Sequence, residues 1–459
     1  MTLLGPAFLA IPIVLGPSGL RDSSPRLPMT VPQGAQDIRT AEAWLQWAVD
    51  EPTPEARASA AQMLASKDEF SLEDWLAAAR AFGPRGEAPE PGTRSEVPKL
   101  HVAGGVEATA IEVYVPKTYD HGKPGPLIVA LHGTGGSGHN AVPFWHRFAD
   151  ATGGVAIGPT EAGPNGGYRG DERERDSVVQ AIRWARREFN VDETRVWMTG
   201  YSRGGHMAWD FALRSGDLIA GAIPQAGGPL FGSDPASSPL RMLANLRDMH
   251  VHSFVGEEDQ PVLLGNLALV EAYAAEEELE NVVLETLPGV GHGIPHQGRR
   301  DWSDWGRKAQ REPWPTSITR AAFRLEDAQR AWLQVTKFNK SVVGSFKPTV
   351  RAPRGKTLSQ AEIREQVLKD AIQKTSLVEA ERRENGRFEV RARGAAKLTI
   401  LLKEDWMPAK GKKVTVRVNR RNQAVRVERS KEVLLRNFVE RFDRTFLPVG
   451  AAAVTVKGR

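Results

Sequence analysis

The stretch that most constrains this chain is Val196-Trp197-Met198-Thr199-Gly200-Tyr201-Ser202-Arg203-Gly204-Gly205-His206. An apolar run ends in a glycine, a serine follows two residues later, and a glycine pair opens a helix-like run. This is the G-x-S-x-G pattern of a nucleophile elbow, a sharp strand-to-helix turn with a strained serine at its apex. Side chains two before and two after that serine would collide, so both positions require glycine. The turn lifts the hydroxyl above the end of a strand. It also leaves the backbone N–H of Arg203 placed to bind an oxyanion. An ordinary glycine-rich turn has the same letters, so the surroundings decide.

Those surroundings alternate between strands and helices. Residues 108–115 alternate at period two, and 127–131 form a continuous apolar run suited to burial on both faces. Further strands are expected at 155–157, 195–199, 218–223, 249–255 and 282–287. Helical spacing runs over 176–189, through Val178, Ile182, Ala185 and Phe189, and again over 263–278. Such alternation implies an α/β fold with a doubly wound, mostly parallel sheet. In such sheets sites lie in the loops after the strands.

Those loops carry the chemistry. A serine needs a base, and the base needs an acid to orient it. After the elbow, Val255-Gly256-Glu257-Glu258-Asp259-Gln260-Pro261 follows an apolar strand, and Gly289-Val290-Gly291-His292-Gly293 follows the next. Asp259 is the expected acid because it lies deepest before the helix. Glu258 and Glu257 are the fallbacks, and Asp234 is a more distant one. His292, flanked by glycines, is the expected base. Earlier, Leu131-His132-Gly133-Thr134-Gly135-Gly136-Ser137-Gly138 offers a glycine-rich turn after a buried strand. Thr134 is the expected oxyanion donor there, paired with Arg203.

Rival readings of these residues are weaker. Gly133, Gly135 and Gly138 match the dinucleotide fingerprint, with Glu161 as its acid, but that reading leaves the Ser202, Asp259 and His292 loops unexplained. His250 and His252 share a strand face. His292 and His296 are four apart, but Gly293 and Pro295 break any helix between them, and neither pair has a carboxylate partner for a metal. No cofactor and no metal are expected.

The remainder divides around this centre. Residues 1–37 read as a signal-like segment and linker. The apolar start, 1–16, has the length of a signal h-region and is too short and Pro-broken to span a membrane, so export to the periplasm or outside the cell is the expectation. Residues 38–95 form a helical arm. One helix carries Trp44, Leu45, Trp47 and Ala48, a second covers 54–66, and a third starts at Ser71 with Asp74 as capping-box partner. Residues 96–340 hold the α/β domain. Its stretch 301–340 carries Trp302, Trp305, Trp314 and Trp332, which either stack on sugar or aryl groups near the mouth or, more commonly, pack. Residues 341–375 are a linker with Pro348, Pro353 and Gly355, then a helix with a Ser359/Glu362 capping box. Residues 376–459 form a small β-rich module, with strands at 387–393, 397–402, 413–418, 424–428 and 452–456 and a helix at 433–442.

Charge is uneven. The module carries 21 Lys and Arg against 10 Asp and Glu, a net of +11, which leaves −6 for the rest of a chain whose total is +5. The module could meet an anionic surface or polymer, or simply present a solvated face; no nucleic-acid partner is expected. The absence of cysteine excludes disulfides, thiolate nucleophiles and cysteine metal sites.

With these residues in hand, 127–295 resembles the α/β-hydrolase esterases, in particular the group of polyhydroxybutyrate depolymerases and feruloyl or acetyl-xylan esterases. The residues that carry the resemblance are His132-Gly133-Thr134-Gly135-Gly136, the run from Asp192 into Gly200-Tyr201-Ser202-Arg203-Gly204-Gly205, and Gly291-His292-Gly293. It implies Ser202 as nucleophile, His292 as base and Asp259 as acid, acting on an ester-bearing small molecule or polymer. Many relatives in that group use disulfides, which this chain lacks. Two alternatives stand beside it. One is a peptidase of the same fold, its access restricted to short peptides by the arm and the module. The other is a non-catalytic hydrolase-like binding protein.

Overall fold

The computed structural model describes residues 40–459 apart from 85, 162, 164–165, 231–236, 345–348, 355–356, 410–411 and 458–459. The signal-like segment, its linker, Asp234, Pro348 and Gly355 lie outside the described residues.

Eight strands form the central sheet: β1 (Gly92–Glu96), β2 (Ile111–Val115), β3 (Gly125–Leu131), β4 (Val155–Pro159), β5 (Val191–Tyr201), β6 (Gly221–Gln225), β7 (His250–Gly256) and β8 (Val282–Leu287). Their spatial order is β1-β2-β4-β3-β5-β6-β7-β8. The β1/β2 and β2/β4 pairs are antiparallel, and every pair from β4 to β8 is parallel. The run Leu127 to Leu131 lies in the middle of the sheet and is buried throughout, as an apolar strand covered on both faces must be. The registers Leu131↔Gly200, Tyr201↔Gln225 and Gly256↔Leu287 bring the C-terminal ends of five strands to one edge.

Helices α1 (Ala41–Asp50), α2 (Pro54–Ala65) and α3 (Leu72–Ala81) make the arm. As expected, Ser71 and Asp74 cap α3 reciprocally. The sheet is flanked by α4 (Glu172–Glu188), α5 (Arg203–Arg214) and α6 (Pro261–Glu276). Helix α4 starts four residues before its apolar spacing suggests. Asp171 caps it, and the buried Glu174 carboxylate accepts the N–H groups of Arg169, Gly170 and Asp171. Two sequence boundaries move. Strand β1 begins on the arm side of 95 but is the sheet's edge strand. Ala108, read as the start of a strand through 115, instead ends the short strand 105–108 that closes a hairpin with Lys99–Val102.

The boundary expected at 340 also moves. Strands β9 (Ser317–Ala322), β10 (Gln329–Arg330) and β11 (Leu333–Phe338) join β12 (Ser376–Arg382), β13 (Phe388–Arg393), β14 (Ala395–Leu402), β15 (Lys413–Val418), β16 (Arg421–Arg426) and β17 (Gly450–Thr455). They form two sheets, β9-β12-β13-β15-β16 and β10-β11-β14-β17, over a shared core that includes Trp332, Phe388, Leu398 and Ile400. Strand β9 pairs with β12 and β11 with β14, so the sandwich begins at Ser317. The tryptophans divide by packing. Trp302 and Trp305 lie against Trp197 and Phe254 under the central sheet, while Trp314 and Trp332 fill the sandwich.

Helices α7 (Gln360–Gln373) and α8 (Lys431–Arg441) complete the fold. Arm and sandwich meet the central sheet where its strands begin. Arg311 N–H donates to Thr194 C=O at 2.9 Å, and Arg444 pairs with Glu193, both at the start of β5. Arg330 and Arg441 pair with Asp217, just before β6. Burial pushes the Asp217 carboxyl up, but Arg441 and Arg330 outweigh it and hold it well below the usual carboxylate range. Arg183 donates to the carbonyls of Val49, Val439 and Glu440, and Arg186 to those of Arg441 and Phe442. These guanidinium groups serve carbonyls at the C-terminal ends of α1 and α8, which lack helical partners. Phe82 of the arm packs edge-on against Phe438 and Phe442, with centroids 5.3 and 5.0 Å away. At about 3.3 Å per strand residue, this seam lies roughly 25 Å from the end of β5 that carries Ser202. The seam contacts of arm and module thus lie at the edge away from Ser202, while residues 52–55 of the arm also reach the first turn of α4. Among the described residues, no helix is long and apolar enough to cross a membrane.

Candidate active site

Ser202 stands between β5 and α5 with φ 53° and ψ −113°, a strained conformation for a residue with a Cβ. The glycines around it are required by contact. A Cβ on Gly200 would lie 2.1 Å from Gly204 O, and one on Gly204 would lie 2.3 Å from Leu131 O. The Ser202 N–H donates to Gln225 C=O at 2.8 Å, tying the turn to the neighbouring strand.

Ser202 Oγ lies 2.8 Å from His292 Nε2, and His292 Nδ1 lies 2.9 and 3.1 Å from the two Asp259 oxygens. The Asp259 side chain is fully buried, whereas that of His292 is 40% exposed. With Asp259 a carboxylate, Nδ1–H donates to it and Nε2 accepts from the serine hydroxyl. Asp259 also accepts the Gln260 N–H at 2.7 Å. The acid loop and the histidine loop touch directly: a Cβ on Gly256 would lie 2.2 Å from Val290 O and from Gly291 O. The fallback acids do not reach His292. Glu257 and Glu258 are exposed, and Glu257 accepts the Gly289 N–H instead.

The glycine-rich turn after β3 is pinned from below. His132 is buried, its Nδ1 is 2.7 Å from Gly133 O, and its Nε2 accepts the Glu161 N–H at 2.9 Å. The proton therefore sits on Nδ1, and burial pushes the imidazole pKa down, which favours that neutral form. Thr134 and the Arg203 side chain converge on Gly167, where a Cβ would lie 3.4 Å from Thr134 Cα and 3.2 Å from Arg203 Cδ. The dinucleotide alternative fits poorly here. The helix after the turn, Gly138–Ala141, has four residues, and the Glu161 carboxylate is taken by Arg173 and the Gly163 N–H. His250 is half-buried, and His252 stacks on Phe254 within reach of Glu285.

Sequence reasoning overlooked two residues that hold this arrangement. Tyr201 Oη donates to His292 C=O at 2.9 Å. Gln225, fully buried, accepts the Gln297 N–H on its side chain at 2.7 Å, fixing the chain beyond the histidine loop. A polar residue ending an apolar strand beside the elbow was the available signal for Gln225.

The sheet order and the serine turn define the α/β-hydrolase fold. Residues 166–342 match the model of the Dienelactone hydrolase family. The chain is 28% identical over 147 residues to a bifunctional acetylxylan esterase/xylanase of Neocallimastix patriciarum, covering 31% of this chain and 20% of that one. It is 26% identical over 174 residues to feruloyl esterase C of Emericella nidulans, covering 37% and 64%. It is 31% identical over 121 residues to poly(3-hydroxyalkanoate) depolymerase C of Paucimonas lemoignei, covering 23% and 28%. The chain thus spans at most 64% of the length of these relatives.

Proposed function

We propose that this chain is a serine hydrolase that cleaves carboxylic esters through an acyl-enzyme. The observation that carries the reading is the hydrogen-bonded relay from Ser202 Oγ through His292 to the buried Asp259. As Ser202 Oγ bonds to the ester carbonyl carbon, its proton passes to His292 Nε2 and the carbonyl π electrons move onto oxygen. The backbone N–H groups of Arg203 and Thr134 are assigned to that oxyanion. Collapse breaks the C–O bond to the alcohol, which leaves with the proton from His292. Water then repeats the attack with His292 as base, releasing the acid and restoring Ser202. Asp259 keeps the imidazole in the Nδ1–H tautomer and stabilises its charged form. Ester chemistry is favoured over amide by the relatives, which are named as acetylxylan and feruloyl esterases and a polyhydroxyalkanoate depolymerase. The substrate is an ester-bearing small molecule or polymer.

The test is fluorophosphonate labelling of wild type and Ser202→Ala, with turnover of p-nitrophenyl acetate against aminoacyl-p-nitroanilides. Wild type is expected to label and to prefer the ester. Ser202→Ala is expected to lose labelling, with kcat down about 10⁴-fold or more. Folded wild type that takes no probe would overturn the proposal. Faster anilide turnover would move it to peptidase chemistry.

A further inference from the structure

A cavity of about 450 Å³ opens between the glycine-rich turn and the histidine loop, lined in part by Asn140, Phe144, Trp145, Tyr201, Ile294 and His296. It adjoins the nucleophile: a Cβ on Gly133, another lining residue, would lie 3.5 Å from Ser202 Cβ. No Asp, Glu, Lys or Arg lines it. Of its two histidines, His132 has both nitrogens engaged by the backbone.

His296 is arranged differently. Its ring lies flat on Phe144, centroids 3.7 Å apart at 6°, and nearly parallel to Tyr201 at 6.0 Å and 16°. Its Nδ1 accepts the Gly298 N–H at 3.2 Å, so Nδ1 carries no proton and Nε2 does. Protonating Nδ1 would set two N–H groups against each other. Burial and the neighbouring Arg299 push its pKa down to about 4, so it is a neutral donor at working pH. Among the described residues nothing accepts the Nε2–H. A second donor sits nearby. Asn140 Oδ1 accepts from the N–H and Oγ–H of Ser137, which leaves its amide hydrogens uncommitted.

We infer that this cavity receives an uncharged part of the ester substrate that carries a hydrogen-bond acceptor, and that His296 Nε2–H recognises that acceptor. The inference rests on the proposed ester hydrolysis and specifies its substrate. A charged group would be desolvated there without a partner. A purely apolar group of the same shape would leave the His296 N–H stripped of water and unpaired. An ether, carbonyl or hydroxyl oxygen avoids both costs, and the aromatic walls take the rest of the group. His296 is thus a specificity-determining residue, separate from the relay that breaks the bond.

Two isosteric ester pairs test this, each exchanging one CH₂ for an ether oxygen. One pair varies the acyl arm: p-nitrophenyl 3-methoxypropanoate against p-nitrophenyl pentanoate. The other varies the alcohol arm: 2-methoxyethyl acetate against butyl acetate. In wild type, the pair whose variable arm enters the cavity is expected to favour the ether by about fivefold in kcat/KM. His296→Phe keeps a ring on Phe144 but no donor, and is expected to bring that ratio to about one, mainly through KM. His296→Gln keeps an N–H and is expected to retain the preference. Each readout is a ratio within one preparation, so partial loss of folded enzyme cancels. Turnover of both pairs with no ether preference, or with a preference that His296→Phe leaves intact, overturns the inference and leaves the ester hydrolase standing. No turnover together with no labelling of Ser202 removes the proposed function and the inference with it.

Discussion

The two edges of the parallel sheet use polar groups in opposite ways. At the C-terminal edge, the relay keeps one face open: His292 is 40% exposed while Asp259 behind it is sealed. Glycines, not bulk, hold it, because strand ends and loops must approach within backbone contact. At the N-terminal edge, the ionic groups are closed in. The Arg311 and Asp443 side chains are 1% and 3% exposed, and Arg214 and Asp327 are 5% and 9% exposed. Arginine suits that edge because one planar group can satisfy several carbonyls and carboxylates at once, as Arg183, Arg186 and Arg444 do. A group that must exchange protons with a substrate needs an opening and a fixed backbone. A group that only joins three parts of a chain needs neither.

The comparison predicts that the two edges fail independently. The largest expected effect on stability is at the seam. Arg311→Ala removes the partner of buried Asp443 and should cost about 3–5 kcal/mol, because it strands an uncompensated charge. Thermal unfolding is expected to shift down by several degrees, with kcat of the remaining folded protein unchanged. A variant that loses turnover before it loses stability would show that the seam communicates with the site.

Gly256→Ala should do the reverse. The new Cβ would press on Val290 O and Gly291 O, 2.2 Å away, and push the histidine loop off Ser202. A displacement near 1 Å costs about 100-fold in rate. The expected result is kcat down by about that factor with a smaller change in melting temperature, measured on p-nitrophenyl acetate.

The same division explains what the sequence disclosed. The elbow was legible because its constraints are local: Gly200 and Gly204 must be glycine for steric reasons that five letters contain. The placing of Asp259 and His292 was legible because each follows an apolar strand in turn. The sandwich boundary was not. Ser317–Ala322 shows short alternation, but its partner Ser376–Arg382 lies more than fifty residues on, and nothing local announces the pairing. The early start of α4 was hidden because Glu174 acts through backbone N–H groups, not through an apolar stripe. His296 was read as half of a weak metal pair. Its setting comes from Phe144, 152 residues earlier in the chain, and only the fold brings the two rings together.

The smallest expected effect separates the edges most finely. Tyr201 lies beside Ser202, and its position is set by the elbow, yet its hydroxyl holds the backbone of His292 through its C=O at 2.9 Å. That carbonyl also accepts the Ile294 N–H at 3.0 Å, so losing Tyr201 Oη loosens the loop without leaving a buried acceptor empty. One such hydrogen bond contributes about 1 kcal/mol, so Tyr201→Phe should lower kcat about fivefold. KM for p-nitrophenyl acetate should stay within about twofold, since the lost contact orients the base and does not touch the ester. Melting temperature should barely move, because the ring remains packed and the seam is roughly 25 Å away. A matching rise in KM would instead mean that the Tyr201 hydroxyl itself contacts the bound ester. A fall in stability as large as that of Arg311→Ala would mean that the two edges are one cooperative unit.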